Sequence, residues 1–591
     1  MSTTGPANHT DRGRPGSPLG GLLLLAAVFA LGLPARLGGD ASKWIAVGNL
    51  HSWFSSAGGE REVGRTLQTS DQQDGLRWQA QFSDQDVLAA KALWIGSTNY
   101  QDPLVDQTFD YKVVHVGPRV LDDLNEMMPQ EFNLVASFDH PSVFVDGVPG
   151  SDLMFGMDEV DVTDSNLPTD RMIYNVVHTG IGITLTRKIY AFTNQYHDNY
   201  FIYDYVFENT GVVNRDGSIT HSQTLTDVVF FFQYRYAPTR EASVYGLSPS
   251  ATPQSVSWGH SVIYDAVFSH PSTGELFRAQ FAWLGKHSQA ANDIIGGPDI
   301  IRDGHLTAPQ YVGVLTIHAD TSPSDTTDDP AQPSTTMYLQ SDLGITSNNS
   351  QFNAVQMAEE YAAMTAGHPI LRHAEDVGCP TPVDCSNPAN TYVKAGDPGN
   401  PGGYTHGQGF GPYDMAPGES IHIVLAEGVS GIDRQLSYEI GAQWKAGGSS
   451  LPLPSKVGGG TTNDADYFKN AWVYTGEDSL FQTLKRAKAN WEGGFNVPSP
   501  PDPPGLFEVN SGGDRITLSW DYPGGVPANV SGFKISRAAA IPDTTFTEIF
   551  STSDPGVSSY EDKQAVRGFD YYYYLEAFDG GSANTVAPGV P

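Results

Sequence analysis

Clusters of carboxylates are the first candidates for chemistry in this sequence. Two acidic stretches rich in turn-forming residues supply six of them: Asp158, Asp161 and Asp164 in the first stretch, and Asp320, Asp325 and Asp328 in the second. Calcium takes about six to eight oxygen ligands, which loop carboxylates and main-chain carbonyls can supply. These six carboxylates are therefore candidate calcium ligands, although the sequence favours a solvated acidic loop at each stretch.

Paired carboxylates also cleave glycosidic bonds, which requires two carboxyl groups about 5–9 Å apart. Spacing along a sequence does not reveal such a distance. The signatures of several enzyme classes are missing, because the sequence contains no G-x-S-x-G, no H-E-x-x-H and no G-x-x-x-x-G-K-[ST] motif. The sequence therefore favours a protein without catalysis and leaves a hydrolase as the alternative.

The aromatic and histidine side chains indicate a function less specifically than the carboxylates do. Four tryptophans fall within the first hundred residues, where they suit either a packed core or a platform on which sugars stack. The 16 histidines are scattered along the chain. His318 and His422 fall in predicted strands, where we expect half-buried, hydrogen-bonded histidines rather than metal ligands.

The sequence contains two cysteines, Cys379 and Cys385, in the loop-like stretch GCPTPVDC. Two thiols this close form a local disulfide in an oxidising compartment. A lone pair of cysteines is a poor zinc site because a structural zinc ion needs four ligands. We predict one disulfide that closes a loop.

The charge balance narrows the choice of partners. Lys and Arg number 33 and Asp and Glu number 67, so the net charge is −34. A nucleic-acid binder needs a basic footprint, and an anionic membrane surface repels so acidic a chain. Hydrophobic residues make up 39% of the sequence, which is enough for a packed core.

The N-terminus predicts export. Gly20–Leu33 is an apolar run of 14 residues, shorter than the roughly 20 residues of a membrane-spanning helix. It fits the apolar core of a signal peptide over residues 1–41, and an uncleaved anchor is the alternative. No later run approaches a membrane span, so we expect a bacterial protein that is secreted or held at the cell surface.

Residues 42–460 read as one β-rich body, because apolar side chains alternate with polar ones along many short segments. The segments 182–192 and 199–208 predict an antiparallel hairpin. We expect a mainly β protein with a large antiparallel β-sandwich body, which is built from one or more pairs of sheets. Its polar segments 321–336 and 446–463 predict a flexible loop and a linker.

Helical periodicity is rare in this sequence. Residues 352–366 predict one helix and residues 478–491 predict a second. The second lies in a short helical neck over residues 461–497. The proline-rich residues 498–505 follow as a semi-rigid linker.

The C-terminal segments read RITLSWDYP, SGFKISRA and YEDKQAVRGFDYYYYLEAFD. They resemble a fibronectin type III domain over residues 506–591. The resemblance implies a small immunoglobulin-like sandwich, with Trp520 as its buried tryptophan and Tyr571 at its tyrosine corner. Tyr572 is the alternative, one register step away. Such domains are spacers or adhesion modules, and their fold alone does not state a function.

The remaining segments, including WIAVGNLHSWFSSAGGE and APGESIHIVLAEGV, resemble large secreted bacterial proteins of undefined activity. Many of those proteins end in a type 9 secretion sorting tail. This sequence ends in VAPGVP, which does not match such a tail. We therefore expect either a truncated product or another secretion route.

Three functions follow. The first is an exported extracellular or cell-surface structural or binding protein, a component of a matrix, filament or adhesion layer. Its partners would be copies of itself, other surface proteins or glycans. The second is a secreted polysaccharide-active hydrolase in which the fibronectin-type domain is an accessory. The third is a calcium-stabilised adhesin. The missing catalytic signatures favour the first.

Overall fold

The structure is a computed structural model. It describes residues 41–60, 75–118, 125–150, 158–239, 241, 261–266, 277–285, 293–340, 350–371, 373–376, 383, 404–540 and 545–582. The apolar run of the predicted signal peptide and both cysteines of the predicted disulfide lie outside these residues.

The fold is mainly β, as predicted, with 44% of residues in strands and 14% in helices. The strands of the body are β1 Ser42–Ile45, β2 Leu50–Ser55, β3 Arg77–Trp78, β4 Leu88–Asp102, β5 Gln107–Val116, β6 Met127–Ala136, β7 Ser142–Val145, β8 Val148–Pro149, β9 Val162–Thr163, β10 Arg171–Thr179, β11 Ile183–Ala191, β12 Tyr200–Asn209, β13 Leu225–Tyr236, β14 Ser261–Ala266, β15 Ala279–Leu284, β16 Tyr311–Ser322, β17 Asp325–Asp328, β18 Thr335–Gln340, β19 Tyr404–Met415, β20 Ser420–Ser430, β21 Leu451–Pro452 and β22 Thr461–Thr462.

Six further strands form the C-terminal module: β23 Leu506–Ser511, β24 Ile516–Asp521, β25 Gly532–Ala539, β26 Thr547–Thr552, β27 Ser559–Asp562 and β28 Tyr571–Phe578. The helices with described bounds are α1 Ala354–Met364, α2 His373–Asp376, α3 Arg434–Ala446 and α4 Ala465–Glu492.

Two antiparallel sheets face each other in the body. The larger has the order β14-β15-β16-β20-β12-β11-β10-β6-β9, with β17 attached to β16, and the smaller has the order β18-β19-β13-β4-β5. The predicted hairpin is confirmed, because β11 pairs with β12 from Ile183 opposite Asn209. Inward-facing aromatic side chains join the two sheets, and the rings of Phe207 and Phe230 stack 3.9 Å apart. The body is therefore a β-sandwich.

Helix α4 covers the outer face of the larger sheet. Phe481 lies edge-on to Phe277 and Phe281, with ring centroids 5.2 and 5.3 Å apart. The sequence predicted this helix from residue 478, but it begins at Ala465, because the Asp464 side chain accepts a hydrogen bond from the N–H of Tyr467 and caps it there. The 28 residues of α4 thus belong to the packing of the body.

Helix α1 matches its prediction to within two residues at each end, and it covers the smaller sheet with Met357, Tyr361 and Met364. Helix α3 was not predicted. It begins after its N-cap residue Asp433 and ends at Gly447, which has a left-handed backbone conformation. Its buried residues are Arg434, Ser437, Ile440 and Gly441, of which only Ile440 has a large apolar side chain, so no apolar stripe marks the helix in the sequence.

The expected loop over residues 321–336 is wrong. Strand β16 continues to Ser322 and turns into β17, which pairs with it antiparallel, and β18 begins at Thr335. All four residues of β17 are exposed, so the strand has no apolar alternation from which a sequence pattern could reveal it. The predicted linker over residues 446–463 likewise contains the paired strands β21 and β22.

The C-terminal module has two sheets. One contains β27, β24 and β23, and the other has the order β26-β25-β28. Trp520 lies in the core between them at 3% exposure, beside Phe533 with ring centroids 5.3 Å apart. The Tyr571 hydroxyl donates to the carbonyl of Val566 at 3.1 Å and accepts from its N–H at 2.6 Å.

The module is joined to the body by main-chain hydrogen bonds. Strand β7 of the body pairs in parallel with β23, so that the sheet of the module continues into the body hairpin β7–β8. The N–H of Ser142 donates to the carbonyl of Gly505, and the N–H of Asp146 donates to the carbonyl of Val509, both at 2.9 Å. Among the described residues, no helix is long and apolar enough to cross a membrane.

Candidate functional site

A cleft of about 580 Å³ opens where helix α3 of the body meets the module. Its lining combines two aromatic rings, two carboxylates, one amide and three hydroxyls: Gln435, Tyr438, Glu439, Thr545, Phe546, Thr547 and Glu548. Clefts between domains are preferred places for ligands, because side chains from two scaffolds converge there. We name this set the junction cleft.

Helix α3 supplies one wall of the junction cleft. Gln435, Tyr438 and Glu439 lie on one helical face because they are three and four residues apart. Ile440 is buried on the side that packs on the body. The Gln435 amide donates to the Glu439 carboxylate at 2.9 Å, which holds both polar groups on the wall.

The module supplies the opposite wall, with Thr547 and Glu548 at the start of β26. The Phe546 ring is held between a ring of each part: its centroid is 5.0 Å from that of Tyr574 in the module and 6.3 Å from that of Phe82 in the body. The position of Phe546 therefore depends on the docking of the module.

A buried ion network supports Tyr438 from below. The Tyr438 ring stacks on His305 with centroids 4.6 Å apart. Burial alone would lower the pKa of His305, but bonds to Glu241 and Asp303 outweigh it and raise that pKa. Arg434 donates two hydrogen bonds to Glu241, at 2.6 and 3.1 Å. Helix α3 is thus fixed by charge pairs that are almost fully buried.

The described lining of the junction cleft contains no lysine or arginine. Its carboxylates would repel an anionic ligand, whereas aromatic faces and side-chain amides are the groups on which neutral sugars stack and form hydrogen bonds. The chemistry of the cleft therefore fits an uncharged, polyhydroxylated ligand.

A second polar group of residues lies inside the sandwich, between the two sheets. Glu427 on β20 accepts hydrogen bonds from Lys91 at 2.8 Å and from the hydroxyls of Tyr203 and Tyr236 at 2.6 Å each. All four side chains are at most 3% exposed. We name these residues, together with Glu60, Arg187, Tyr234 and His406, the interior cluster.

Several atoms of the interior cluster have no hydrogen-bond partner among the described residues. They are Glu60 Oε2, Arg187 Nε, Tyr234 Oη and both ring nitrogens of His406. Burial raises the pKa of Glu60 against the opposing effect of Lys91 and Arg187, and burial lowers the pKa of His406 to about 3. Glu60 and Glu427 bring two carboxyl groups into this cluster, but their burial keeps a polymeric substrate away from them.

Sequence reasoning missed both sites. For the interior cluster a signal existed, since Lys91 and Glu427 stand alone in the apolar segments LAAKALWIG and IVLAEGV. A single charge in a strand buried on both faces must find a buried partner. The sequence contains no comparable signal for the junction cleft, because the two walls of the cleft are more than a hundred residues apart in the chain.

The first three predicted calcium ligands do not converge. Asp158 is buried and accepts from the Arg171 guanidinium at 2.7 Å. Asp161 accepts from the N–H of Leu134 and pairs with Lys43, each at 2.6 Å. The exposed carboxylate of Asp164 accepts from the N–H of Asn166.

The three calcium ligands predicted in the second stretch have different surroundings. Asp325 is exposed and accepts from Thr327, and Asp328 pairs with Arg278 at 2.9 Å. Asp320 instead lies beside two histidines. Ligand atoms of His318, Asp320 and His422 lie within 4.8 Å of one another. One other such set occurs among the described residues, formed by Asp299, Asp303 and His305.

No protein-family model matches the chain, and no curated protein matches it either.

Proposed function

We propose that this chain is an exported protein of the cell surface or extracellular matrix that binds glycans without catalysis. The junction cleft is the observation that carries the proposal. It brings two aromatic rings and several uncharged hydrogen-bonding groups together where the body meets the module. Export is proposed from the apolar run Gly20–Leu33.

We further propose that the module is a fibronectin type III domain. Its two sheets of three strands, the buried Trp520 and the bonds of Tyr571 to Val566 five residues earlier support this assignment. Modules of this type hold binding surfaces at a set distance from a scaffold. Here the pairing of β23 with β7 fixes the module against the body, so that both walls of the cleft are held in place.

The experiment is a binding screen of the full exported chain against a panel of neutral and acidic glycans. A neutral glycan should bind. The variant Tyr438→Ala should weaken that binding at least about tenfold, equivalent to about 1.4 kcal/mol, because it removes a stacking surface. Phe569→Ala is the matched control, since Phe569 is an aromatic residue of the module that is 59% exposed outside the cleft. Equal affinities of the two variants, or exclusive binding of acidic glycans, would refute the assignment.

The second candidate is a polysaccharide hydrolase, because each wall of the junction cleft bears one carboxylate, Glu439 and Glu548. Hydrolysis needs an acid and a base on opposite sides of the scissile bond. Release of reducing sugar by the purified chain, lost in both Glu439→Gln and Glu548→Gln, would establish it. Binding without release supports the non-catalytic protein.

Self-association is a separate element of the proposal. Size-exclusion chromatography with electron microscopy of the exported chain distinguishes discrete monomers from filaments. Filaments would place the protein in a matrix, and monomers that bind glycan would limit it to adhesion.

A further inference from the structure

The set formed by His318, Asp320 and His422 lies near the C-terminal end of β16 and the N-terminal end of β20, two inner strands of the larger sheet. His318 and Asp320 come from β16 and His422 comes from its neighbour β20. The register between these strands shifts between Thr316 and His318, and such a bulge redirects the side chains that follow it. The Nε2 atom of His318 is 2.9 Å from Asp320 Oδ1.

Each histidine also has a ring nitrogen near a carboxylate outside the set. His422 Nε2 is 2.8 Å from Asp204 Oδ1, and His318 Nδ1 is 3.9 Å from Asp328 Oδ1. Histidines that bind metals usually hold their second nitrogen against a carboxylate, which fixes the ring and raises its basicity. Asp204 is therefore placed as a positioning residue for His422.

The charges of the set favour a cation. Three carboxylates, those of Asp204, Asp320 and Asp328, lie next to the two histidines. The Arg278 guanidinium pairs with one of them, because it donates to both oxygens of Asp328 at 2.9 and 3.0 Å. Two negative charges are left over when the imidazoles are neutral, and one divalent ion would balance them.

We propose that His318, Asp320 and His422 form a binding site for a divalent transition-metal ion, with Zn²⁺ as its probe. Two imidazoles and one carboxylate are the ligand set of zinc-type sites with one open position, whereas calcium prefers oxygen ligands alone. Zinc lies about 2.0–2.2 Å from nitrogen and oxygen ligands, so one ion can bridge His318 Nε2 and Asp320 Oδ1 across their 2.9 Å separation. His318 is 19% exposed and His422 is 32% exposed, which leaves a path for the ion.

We infer no metal site from the other set, formed by Asp299, Asp303 and His305. Both ring nitrogens of His305 already contact carboxylates, Nδ1 at 2.6 Å from Asp303 and Nε2 at 3.1 Å from Glu241. Arg434 also pairs with Glu241, and this set contains one imidazole where the first contains two. His305 therefore supplies a control for the test.

The test is calorimetric titration of the tag-free, metal-stripped full chain with Zn²⁺ and, separately, Ca²⁺. One Zn²⁺ per chain should bind, and His318→Gln or His422→Gln should weaken it at least about a hundredfold. Asp204→Asn should weaken it about 10–100-fold, the usual cost of losing such a partner. His305→Gln and Asp325→Asn should leave the affinity for Zn²⁺ unchanged.

Circular dichroism of each variant separates loss of the site from loss of the fold. Substitution with Co²⁺ gives a second readout, because its visible absorption becomes intense when protein ligands hold it in four-coordinate geometry, and this intense absorption should disappear in folded His422→Gln. Absence of Zn²⁺ binding to the unaltered chain would overturn the proposal. So would tighter binding of Ca²⁺ than of Zn²⁺, or equal Zn²⁺ affinity in folded His422→Gln.

Discussion

Buried charged side chains stabilise the interior of the sandwich through ion pairs and hydrogen bonds. Glu427 is completely buried and satisfies one ammonium and two hydroxyls. The Nζ atom of Lys91 also lies 3.6 Å from the centre of the Tyr203 ring, which adds a cation–π contact. Burial of so many polar groups is tolerated only because most of them are paired.

The variant Glu427→Gln should therefore lower the free energy of unfolding by about 3–5 kcal/mol, because it leaves the ammonium of Lys91 buried without its counter-charge. Urea unfolding followed by circular dichroism measures the change. Glu159→Gln, at an exposed position, is the control and should change stability by no more than about 0.5 kcal/mol. Equal stabilities of the two variants would show that Lys91 is compensated by another group.

His115 ties helix α1 to strand β5. Its two ring nitrogens contact Glu126 at 2.7 Å and Glu360 at 2.8 Å. Burial alone would lower the pKa of His115, but bonds to the two carboxylates outweigh burial and raise it to about 9. The imidazolium therefore persists at neutral pH and holds the helix.

Because the folded-state pKa of His115 is above its ordinary value of 6.5, these bonds contribute fully below about pH 6.5. The contribution falls as the pH rises through about 9 and amounts to about 3 kcal/mol. Urea unfolding across this range should show a loss of stability that is absent in His115→Gln. His140→Gln, at a histidine that is half-buried, should keep the slope of the unaltered chain, and an equal slope in His115→Gln would contradict the prediction.

At the scale of the elements, the pairing of β7 with β23 has the largest consequence. Inter-domain contacts usually leave domains free to move, but here a shared sheet joins the two parts. The side chain of Asp146 adds to the junction, since it accepts from the N–H and the hydroxyl of Ser511 at 2.6 and 2.9 Å. Body and module should therefore unfold together.

The variant Phe144→Pro should separate them, because proline removes an N–H from the strand that pairs with β23. Calorimetry should show one transition for the unaltered chain and two for this variant. Cleavage by protease within residues 498–505 should also become faster. Phe144→Ala keeps the N–H and should retain a single transition, so identical behaviour of the two variants would refute a role for the main-chain pairing.

The elements differ in how far the sequence predicted them. The β11–β12 hairpin and helix α1 followed from local periodicity, because each presents one apolar face to a core. Strand β17 and the first half of α4 did not, since the former is fully exposed and the latter begins at a capping contact of Asp464. The pairing of β7 with β23 joins residues more than 350 positions apart, which no local pattern encodes.

At the scale of the molecule, the basic residues are distributed unevenly. Several are buried in ion pairs with carboxylates: Lys91, Lys112, Arg171, Arg187, Arg434 and Lys469. Each of these pairs removes one cation and one carboxylate from the surface, so they do not reduce the excess of 67 acidic over 33 basic residues. The surface should repel itself and other acidic molecules.

Added NaCl should therefore raise the melting temperature of the chain. From about 10 mM to about 150 mM salt the screening length falls from about 30 Å to about 8 Å, which weakens repulsion between surface carboxylates, while buried pairs are hardly screened. Calorimetry in the presence of a chelator, which removes any bound divalent ion, measures the effect. Replacing NaCl with an uncharged osmolyte of equal osmolarity is the control, and a melting temperature that falls with salt would contradict the prediction.

The sequence by itself determined the mainly β architecture, the acidity and the C-terminal module, because alternation, composition and turn residues act over a few neighbouring positions. It also named Asp320 as a candidate metal ligand. Only the tertiary structure placed Asp320 beside two histidines, closed the junction cleft between α3 and β26, and put Lys91 against Glu427 across the sandwich. These sites depend on contacts between distant segments, whose cost in chain entropy is offset only when the whole core forms.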